Sequence, residues 1–399
     1  MDPLSPFPAI ASLVVAVVTA FFIAEKFGAP PVQGRFASID GLRGYLAFFV
    51  FLCHSSTWYF YLRSGKWEIP ASNLYAHFGQ SSVALFFMIT GFLFFSKLLD
   101  GRTKAIDWGK IFVSRFLRLV PLYFFVIFLL FLVVFILSKG TLNEPVPKLL
   151  IGMVRWLGFT IAGSPNLNGV EHTWLIIAGV TWSLPYEWKF YLTLPLLALT
   201  VGVLPPFAFI GLSIVSIVYL EIWHPSIHYL SFIGGIAAAL LVRLDWFRRF
   251  AIRRTASFLA LTCLAVTVIA FPSAYGVVPL FLLAVFFAII ASGNTLFGVL
   301  IRPASRTIGE FAYGIYLLHG ITLFVTFTFI LGLPQSRALS SLQHWFVIVG
   351  VTPALIFICF LVFRFIEHPA MQRTASVTTW LRSVLFDRFK VQSKVVRKL

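Results

Sequence analysis

Residues 121–137 read PLYFFVIFLLFLVVFIL, a stretch that contains no charged residue and is apolar on every side. A bilayer core of about 30 Å needs about 20 apolar residues in a helix. A transmembrane β-barrel needs strands of roughly ten residues in which apolar and polar positions alternate, and this stretch does not alternate. It therefore predicts a membrane-spanning α-helix.

The rest of the chain has the same character. Of its 399 residues, 59% are hydrophobic and 11% are charged, and the mean hydropathy is +0.93, which is too apolar for a water-soluble domain. We expect an all-α, polytopic transmembrane helical bundle of about eleven spans, centred near residues 17, 52, 88, 128, 195, 214, 235, 264, 284, 320 and 355.

Residues 138–186 form the longest stretch without a confident span, and we expect the chain not to cross the membrane there. Its two semi-apolar pieces, residues 148–162 and 173–184, are each short for a span. We predict that they lie at the outer interface or dip back into the membrane, since irregular backbone at membrane depth is tolerated where it lines a cavity.

The net charge of +17 is compatible with nucleic-acid binding, but the placement of the basic residues has a simpler explanation. Segments 26–43, 97–118, 243–254, 302–306 and 373–398 hold 23 of the 31 Lys and Arg residues and alternate with loops that hold few. Cytoplasmic loops of membrane proteins are enriched in this way. We therefore expect a bilayer rather than nucleic acid as the partner, and a cytoplasmic C-terminus.

His54 lies deep within the second predicted helix. It follows Arg43 by eleven residues, so the two share one helical face and are about 16 Å apart along the axis. An ionisable group at membrane depth usually faces a cavity or a partner and indicates a functional site; the alternative is a neutral histidine with one interhelical hydrogen bond. His54 can act as a general base, and Arg43 suggests an anionic handle such as the phosphates of an acyl-coenzyme A.

Two further arginines, Arg115 and Arg118, lie on one face of the fourth predicted helix at the same rim. They either bind the same anion or anchor the helix by the positive-inside rule. No metal site is expected, because the three cysteines lie in separate apolar spans and Pro225 interrupts the spacing between His224 and His228.

Several short motifs occur in order along the chain. They are Arg43 and His54 in DGLRGYLAFFVFLCH, Thr90, Gly91 and Phe92 in FFMITGFLFF, Arg115, Arg118 and Pro121 in SRFLRLVPLY, Trp182, Ser183, Leu184 and Glu187 in TWSLPYEWKFYLTLPLL, and Tyr316, His319, Glu367 and Pro369 in FAYGIYLLH and FIEHP. As a set they resemble the motifs of the acyltransferase-3 family of integral membrane acyltransferases. In that family serine is common at the position of Thr90.

The resemblance divides the chain into three parts. Residues 35–371 resemble the membrane domain of the family, which typically has ten spans. Residues 1–34 would be an extra N-terminal transmembrane helix with a linker, running from outside to inside and retained rather than cleaved as a signal peptide. Residues 372–399 would be a basic cytoplasmic tail, with no soluble domain after it.

The family implies transfer of an acyl group, usually acetyl, from cytoplasmic acyl-coenzyme A to a hydroxyl group. Its acceptors include surface polysaccharides, lipopolysaccharide and lipid-linked saccharides, and its members of this type lie in the bacterial inner membrane. His54 would be the catalytic residue, as a general base or through a covalent acyl-histidine, and Arg43, Arg115 and Arg118 would bind the donor.

Two more residues have open roles. Glu187 is expected to orient the acceptor or assist His54 in catalysis, although a carboxylate at a helix start also stabilises the helix dipole. His319 is expected to line the donor tunnel or to hydrogen-bond a neighbour. The alternative function is a transporter that moves a glycan precursor or an anion without chemistry, with Arg43 and His54 as its substrate or proton site.

Overall fold

The protein is described by a computed structural model that covers residues 2–32, 36–223 and 227–384. Three features of the sequence analysis lie outside the described residues. They are the expected domain start at residue 35, His224 and Pro225 of the spacing between His224 and His228, and residues 385–399 of the expected tail. Within the described residues the chain is helical, and the only β pairing is an isolated bridge between Leu167 and Val170.

The α-helices are α1 (Pro6–Phe27), α2 (Ala37–Ser64), α3 (Asn73–Asp100), α4 (Trp108–Leu137), α5 (Val146–Leu157), α6 (Leu184–Thr200), α7 (Phe207–Trp223), α8 (Tyr229–Leu241), α9 (Asp245–Ala251), α10 (Arg254–Ala270), α11 (Val277–Ala291), α12 (Pro303–Glu310), α13 (Ala312–Val325), α14 (Leu333–Ala338), α15 (Ser341–Val362) and α16 (His368–Gln372). Short 3₁₀ segments occur at Thr173–Ile177, Val180–Ser183 and Val299–Ile301, and π-helical turns extend α13 and α15. Residues 374–384 are also helical.

The chain is a polytopic helical membrane protein, as its hydropathy predicted. Five helical stretches of the described chain are long and apolar enough to cross a bilayer, or six if the bent pair α8 and α9, which meet at 105°, is one span. All eleven expected centres fall within helices, but several of these helices have only 13 to 17 residues. The number of eleven spans therefore stays a prediction.

The region between α4 and α6 contains no helix long enough to span. Its helix α5 has 12 residues, or about 18 Å. One face of α5 exposes Leu150, Ile151 and Val154 while Trp156 is buried, which is the pattern of a helix lying at an interface. The 3₁₀ segment Thr173–Ile177 is largely buried instead and packs on α13, so this piece enters the bundle.

Helix α1 is an integral part of the bundle. It packs along α15 and α12. Its N-terminal approach is fixed at two points, because Trp345 Nε1 donates to the carbonyl oxygen of Pro3 at 3.0 Å and the Tyr75 hydroxyl donates to that of Ser5 at 2.8 Å.

Helix α3 lies at the centre of the fold, between α2 and α8. Glycines permit its close crossing with α8. A Cβ atom at Gly235 would lie 2.0 Å from the carbonyl oxygen of Met88, and one at Gly91 would lie 2.5 Å from that of Phe232. Small residues at such crossings let membrane helices pack backbone to backbone, and Gly91 of the FFMITGFLFF motif has this role.

We expect Gly235→Val to destabilise the bundle by about 1–3 kcal/mol, because the added side chain must push α8 away from α3. The measurement is the apparent melting temperature of the purified protein in detergent. Gly211→Val on α7 is the matched control, since a Cβ atom there meets nothing within 4 Å. An equal effect of both substitutions would contradict the proposed role of the crossing.

Candidate active site

The structure brings together two histidines that are far apart in sequence. His54 on α2 and His319 on α13 face each other, with His54 Nδ1 and His319 Nε2 2.7 Å apart. Their rings are stacked, with centroids 5.0 Å apart and an interplanar angle of 15°. His319 is fully buried. Along α2, His54 lies about 26 Å from the start and about 15 Å from the end, so it is in the C-terminal half of the helix rather than at its centre.

The hydrogen bonds define which nitrogen of each ring carries a proton. The carbonyl oxygen of Ile315 can only accept, so His319 Nδ1, 2.9 Å away, donates to it. In the neutral ring the lone pair of His319 is then on Nε2, and the bond to His54 must be donated by His54 Nδ1. Nε2 of neutral His54 is therefore unprotonated and is the nitrogen that can take up a proton.

His54 lines a cavity of about 610 Å³, which we call the histidine chamber. Its wall includes five large aromatic side chains, those of Trp67, Trp174, Trp182, Tyr275 and Tyr316. The Trp67 ring centroid lies 5.8 Å from that of His54 and 6.1 Å from that of Trp174. The chamber is therefore a space in which a flat or ring-shaped molecule can contact His54 and aromatic side chains together.

A second, smaller cavity of about 80 Å³ lies next to the chamber. We call it the arginine cavity, because Arg43, Arg115 and Arg118 all line it. Glu187 lines it too and accepts hydrogen bonds from the Thr90 hydroxyl at 3.4 Å and the Tyr191 hydroxyl at 3.2 Å. The three arginines outnumber the one glutamate, so the cavity has an excess of positive charge and attracts an anion.

The boundary between these two cavities is formed by Val83 and Tyr316, which line both. The Tyr316 hydroxyl donates to the carbonyl oxygen of Val180 at 3.0 Å and lies 2.8 Å from Ser183 Oγ. Ser183 belongs to the Trp-Ser-Leu motif and Tyr316 to FAYGIYLLH, so these two motifs meet where the cavities meet.

A third cavity, of about 210 Å³, opens on the other side of the arginine cavity. We call it the mouth cavity. Arg43 and Arg118 line both, and its wall also contains Asp40, Arg306 and Glu310. The three cavities thus follow one another through the bundle from the start of α2 to His54.

The structure separates the expected site residues into two groups. Arg43, Arg115, Arg118 and Glu187 meet in the arginine cavity. His319 does not line that cavity or the mouth cavity but hydrogen-bonds His54, which was the second of its two expected roles. Glu187 and His54 line different cavities, and among the described contacts Glu187 makes no hydrogen bond to His54.

Sequence reasoning did not find some members of the site. Tyr191 was not expected there, and Trp67 was interpreted from the sequence first as part of an aromatic belt at the membrane interface, although both are beside site residues in the structure. The sequence could have predicted Tyr191, because it follows Glu187 by about one helical turn and therefore lies on the same helical face. Trp67 lies after the end of α2, where no periodicity places it.

A helical membrane bundle with two hydrogen-bonded histidines at the end of an arginine-lined passage has the features of a membrane enzyme. A family model described as an acyltransferase domain matches residues 36–364. The chain belongs to this family, acyltransferase 3, and is a membrane acyltransferase.

Two curated proteins are similar to most of the chain. "Acyltransferase MdmB" of Streptomyces mycarofaciens is 26% identical over 329 residues, which cover 73% of this chain and 79% of the relative. "Nodulation protein 10" of Rhizobium leguminosarum bv. viciae is 27% identical over 344 residues, which cover 77% of this chain and 86% of the relative. No solved structure matches the chain significantly.

Proposed function

We propose that the protein transfers an acyl group, with acetyl as the proposed group, from cytoplasmic acyl-coenzyme A to a hydroxyl of a surface glycan or a lipid-linked saccharide. One observation carries this proposal: the hydrogen-bonded chain from the Ile315 carbonyl through His319 to His54 leaves a basic nitrogen in a chamber next to an arginine-lined cavity. The alternative of a transporter without chemistry is set aside, because the family consists of acyltransferases.

The proposed reaction is general-base catalysis. The acceptor hydroxyl lies near His54 Nε2, which removes its proton as the oxygen attacks the thioester carbonyl carbon. The carbon–sulfur bond then breaks, and the imidazolium returns the proton to the leaving thiolate. His319 is a positioning residue: it holds the ring of His54 and, through Ile315, its tautomer, as the third group of a catalytic triad does.

A covalent relay is the second mechanism for the same geometry. In it His54 Nε2 attacks the thioester carbonyl carbon and the carbon–sulfur bond breaks to release the thiolate. The acceptor hydroxyl then attacks the acyl-imidazolium and gives its proton to that thiolate as the carbon–nitrogen bond breaks. The unprotonated Nε2 serves both mechanisms, so an acyl-histidine found by rapid acid quenching with labelled donor would select the relay.

The arginine cavity would position the donor. Guanidinium groups form paired hydrogen bonds with phosphate, and Arg43, Arg115 and Arg118 present three of them. The volume of about 80 Å³ fits a thin chain rather than a nucleotide, so the pantetheine arm would pass here with its acyl group directed towards Tyr316. Glu187 would keep the arginines in place, which is a different role from the catalytic one expected for it.

The histidine chamber would hold the acceptor. A saccharide ring presents hydroxyl groups on its edge and apolar faces that suit aromatic walls, and Trp67 and Trp174 are close enough to act together on one ring. The volume of about 610 Å³ is in the usual range for a small-molecule site.

We further propose that the eleven helices at the expected centres all cross or enter the inner membrane, with the histidine chamber on the outer side. The ends of α2 and α3 that lie next to the basic segments 26–43 and 97–118 line the mouth and arginine cavities. The opposite ends of these two helices line the chamber. This agrees with the positive-inside rule.

The orientation is tested by cysteine labelling in intact cells. A cysteine replacing the exposed Glu68 at the chamber should react with a membrane-impermeant maleimide, whereas one replacing Thr103 after α3 should react only in permeabilised cells. The three natural cysteines are buried and can be replaced by serine. Labelling of Thr103→Cys from outside would reverse the proposed orientation.

The function is tested by transfer of radiolabelled acetyl from acetyl-coenzyme A into membrane glycan in vesicles. We expect His54→Ala to lower the rate by about 10²–10⁴-fold, the usual contribution of general acid–base catalysis. His319→Leu should lower kcat with little change in KM, and His319→Gln should recover part of the rate, because its amide oxygen can accept from His54 Nδ1.

Trp345→Phe is a control for general loss of structure, since Trp345 is buried near the start of α15 and its described side-chain hydrogen bond goes to the carbonyl oxygen of Pro3. If no label enters the membrane glycan with the wild-type protein, acetyl-coenzyme A is the wrong donor and another donor must be tested. Equal rates for wild type and His54→Ala would exclude the proposed base.

A further inference from the structure

A further cavity lies between the end of α3 and the start of α4, outside the three cavities of the candidate active site. It has a volume of about 470 Å³ and is lined by Lys97, Lys104, Lys110 and Arg115, together with two acids, Asp100 and Asp107. We call it the lysine cavity. It is wide enough for a nucleotide-sized group, unlike the arginine cavity.

The two acids are already neutralised by arginines from other parts of the chain. Asp100 pairs with Arg243, which follows α8, and Asp107 pairs with Arg382 at 2.6 Å. Asp107 also caps α4 by accepting from the backbone N–H of Lys110 at 2.9 Å.

The lysines are left with their charges uncompensated. Lys97, Lys104 and Lys110 form no ion pair within the described part of the chain. Three ammonium groups around one space attract an anion with several negative charges, and water alone screens them in its absence.

Arg115 connects this cavity to the passage described above, because it lines both the lysine cavity and the arginine cavity. Its guanidinium carbon lies 5.0 Å from the Phe94 ring centroid, and Lys97 Nζ lies 5.2 Å from the same centroid. Arg115 Nε is buried and has no hydrogen-bond partner, and an unpaired buried donor of a charged group is costly. A ligand phosphate at this junction would satisfy it.

Helix α3 gives the distance that a ligand would have to cover. Lys97 lines the lysine cavity, and Val83 lines the boundary with the histidine chamber. The rise between them along the helix is about 21 Å. A donor with a phosphate-rich end at Lys97 therefore needs a long, thin arm to bring a reactive group to His54.

The mouth cavity is a weaker site for the same phosphates. Its Arg43 faces Asp40 at 3.9 Å, and Arg306 donates to the backbone carbonyl oxygens of Ile301 and Pro30. Glu310 adds a further acid to its wall. Its cations are thus engaged within the protein to a greater extent than those of the lysine cavity.

We propose that the lysine cavity binds the phosphates at the nucleotide end of the acyl-coenzyme A donor. This inference rests on the proposed function and assigns the donor a second, separate subsite. The nucleotide phosphates lie among Lys97, Lys104 and Lys110, the diphosphate end of the arm passes Arg115, and the arm continues through the arginine cavity. The phosphate of an anionic lipid has the same chemistry, so the experiment must separate the two ligands.

The test is binding of coenzyme A, 3′-dephospho-coenzyme A and pantetheine to the purified protein in nanodiscs of neutral phosphatidylcholine. We expect the triple variant Lys97→Gln, Lys104→Gln, Lys110→Gln to bind coenzyme A about tenfold or more weakly than wild type, because charged contacts to phosphate are lost. Pantetheine binding should not change. The loss should shrink at high salt, which screens the lysines in the wild type.

Lys139→Gln is the matched control, since this exposed lysine lies just after the opposite end of α4 and should leave all three affinities unchanged. If the triple variant does not fold, Lys104→Gln alone tests the same point, because Lys104 is in the exposed turn after α3.

Three outcomes would overturn the inference. Equal coenzyme A affinity in wild type and a folded lysine variant would do so while leaving the transferase proposal intact. So would unchanged coenzyme A binding together with lost binding of phosphatidylglycerol added to the nanodiscs, which would assign the cavity to lipid. If wild type binds none of the three ligands, the donor of the proposed function is itself wrong.

Discussion

The hydrogen bond between His54 and His319 joins α2 to α13 inside the bundle, and the rest of the site is arranged around it. A polar ring surrounded by apolar side chains needs a partner, since an unsatisfied polar group away from water costs several kcal/mol. Each histidine satisfies the other, and the backbone of α13 satisfies the far nitrogen of His319. This requirement has a chemical consequence: it leaves Nε2 of His54 as the basic atom. A structural need and a catalytic need are thus met by the same two contacts.

Electrostatics orders the remaining residues along one line. Cations are concentrated at one end of the path, in the mouth, lysine and arginine cavities. The described residues that line the histidine chamber at the other end include no Lys or Arg and include five Trp and Tyr side chains. An anionic donor is therefore drawn to one end only, while a neutral ring-shaped acceptor suits the other. Tyr316 and Val83 lie where the two substrates would meet. The position of the charges, more than the shape of any one cavity, gives the path its direction.

Much of this fold could be predicted from the sequence because membrane helices must satisfy their own backbone and be apolar over a sufficient length. All eleven expected centres lie in helices, and Arg43 and His54 share α2 as their spacing required. The family also followed from short motifs. The length of each helix did not, because α6, α10 and α11 are shorter than a full span and their role depends on tertiary packing.

The partner of His54 could not be predicted, because His319 lies 265 residues away and no local pattern connects the two. For the same reason Glu187 was expected near His54 but lies with the arginines. The most direct test of the whole account is affinity labelling with bromoacetyl-coenzyme A, which alkylates a nucleophile held at the acyl end of the donor. In a Cys53→Ser background, needed because Cys53 also lines the chamber, peptide mapping should find the label on His54, and excess coenzyme A should prevent it. Coenzyme A-protected label on a residue outside the histidine chamber, with His54 unmodified, would contradict the account.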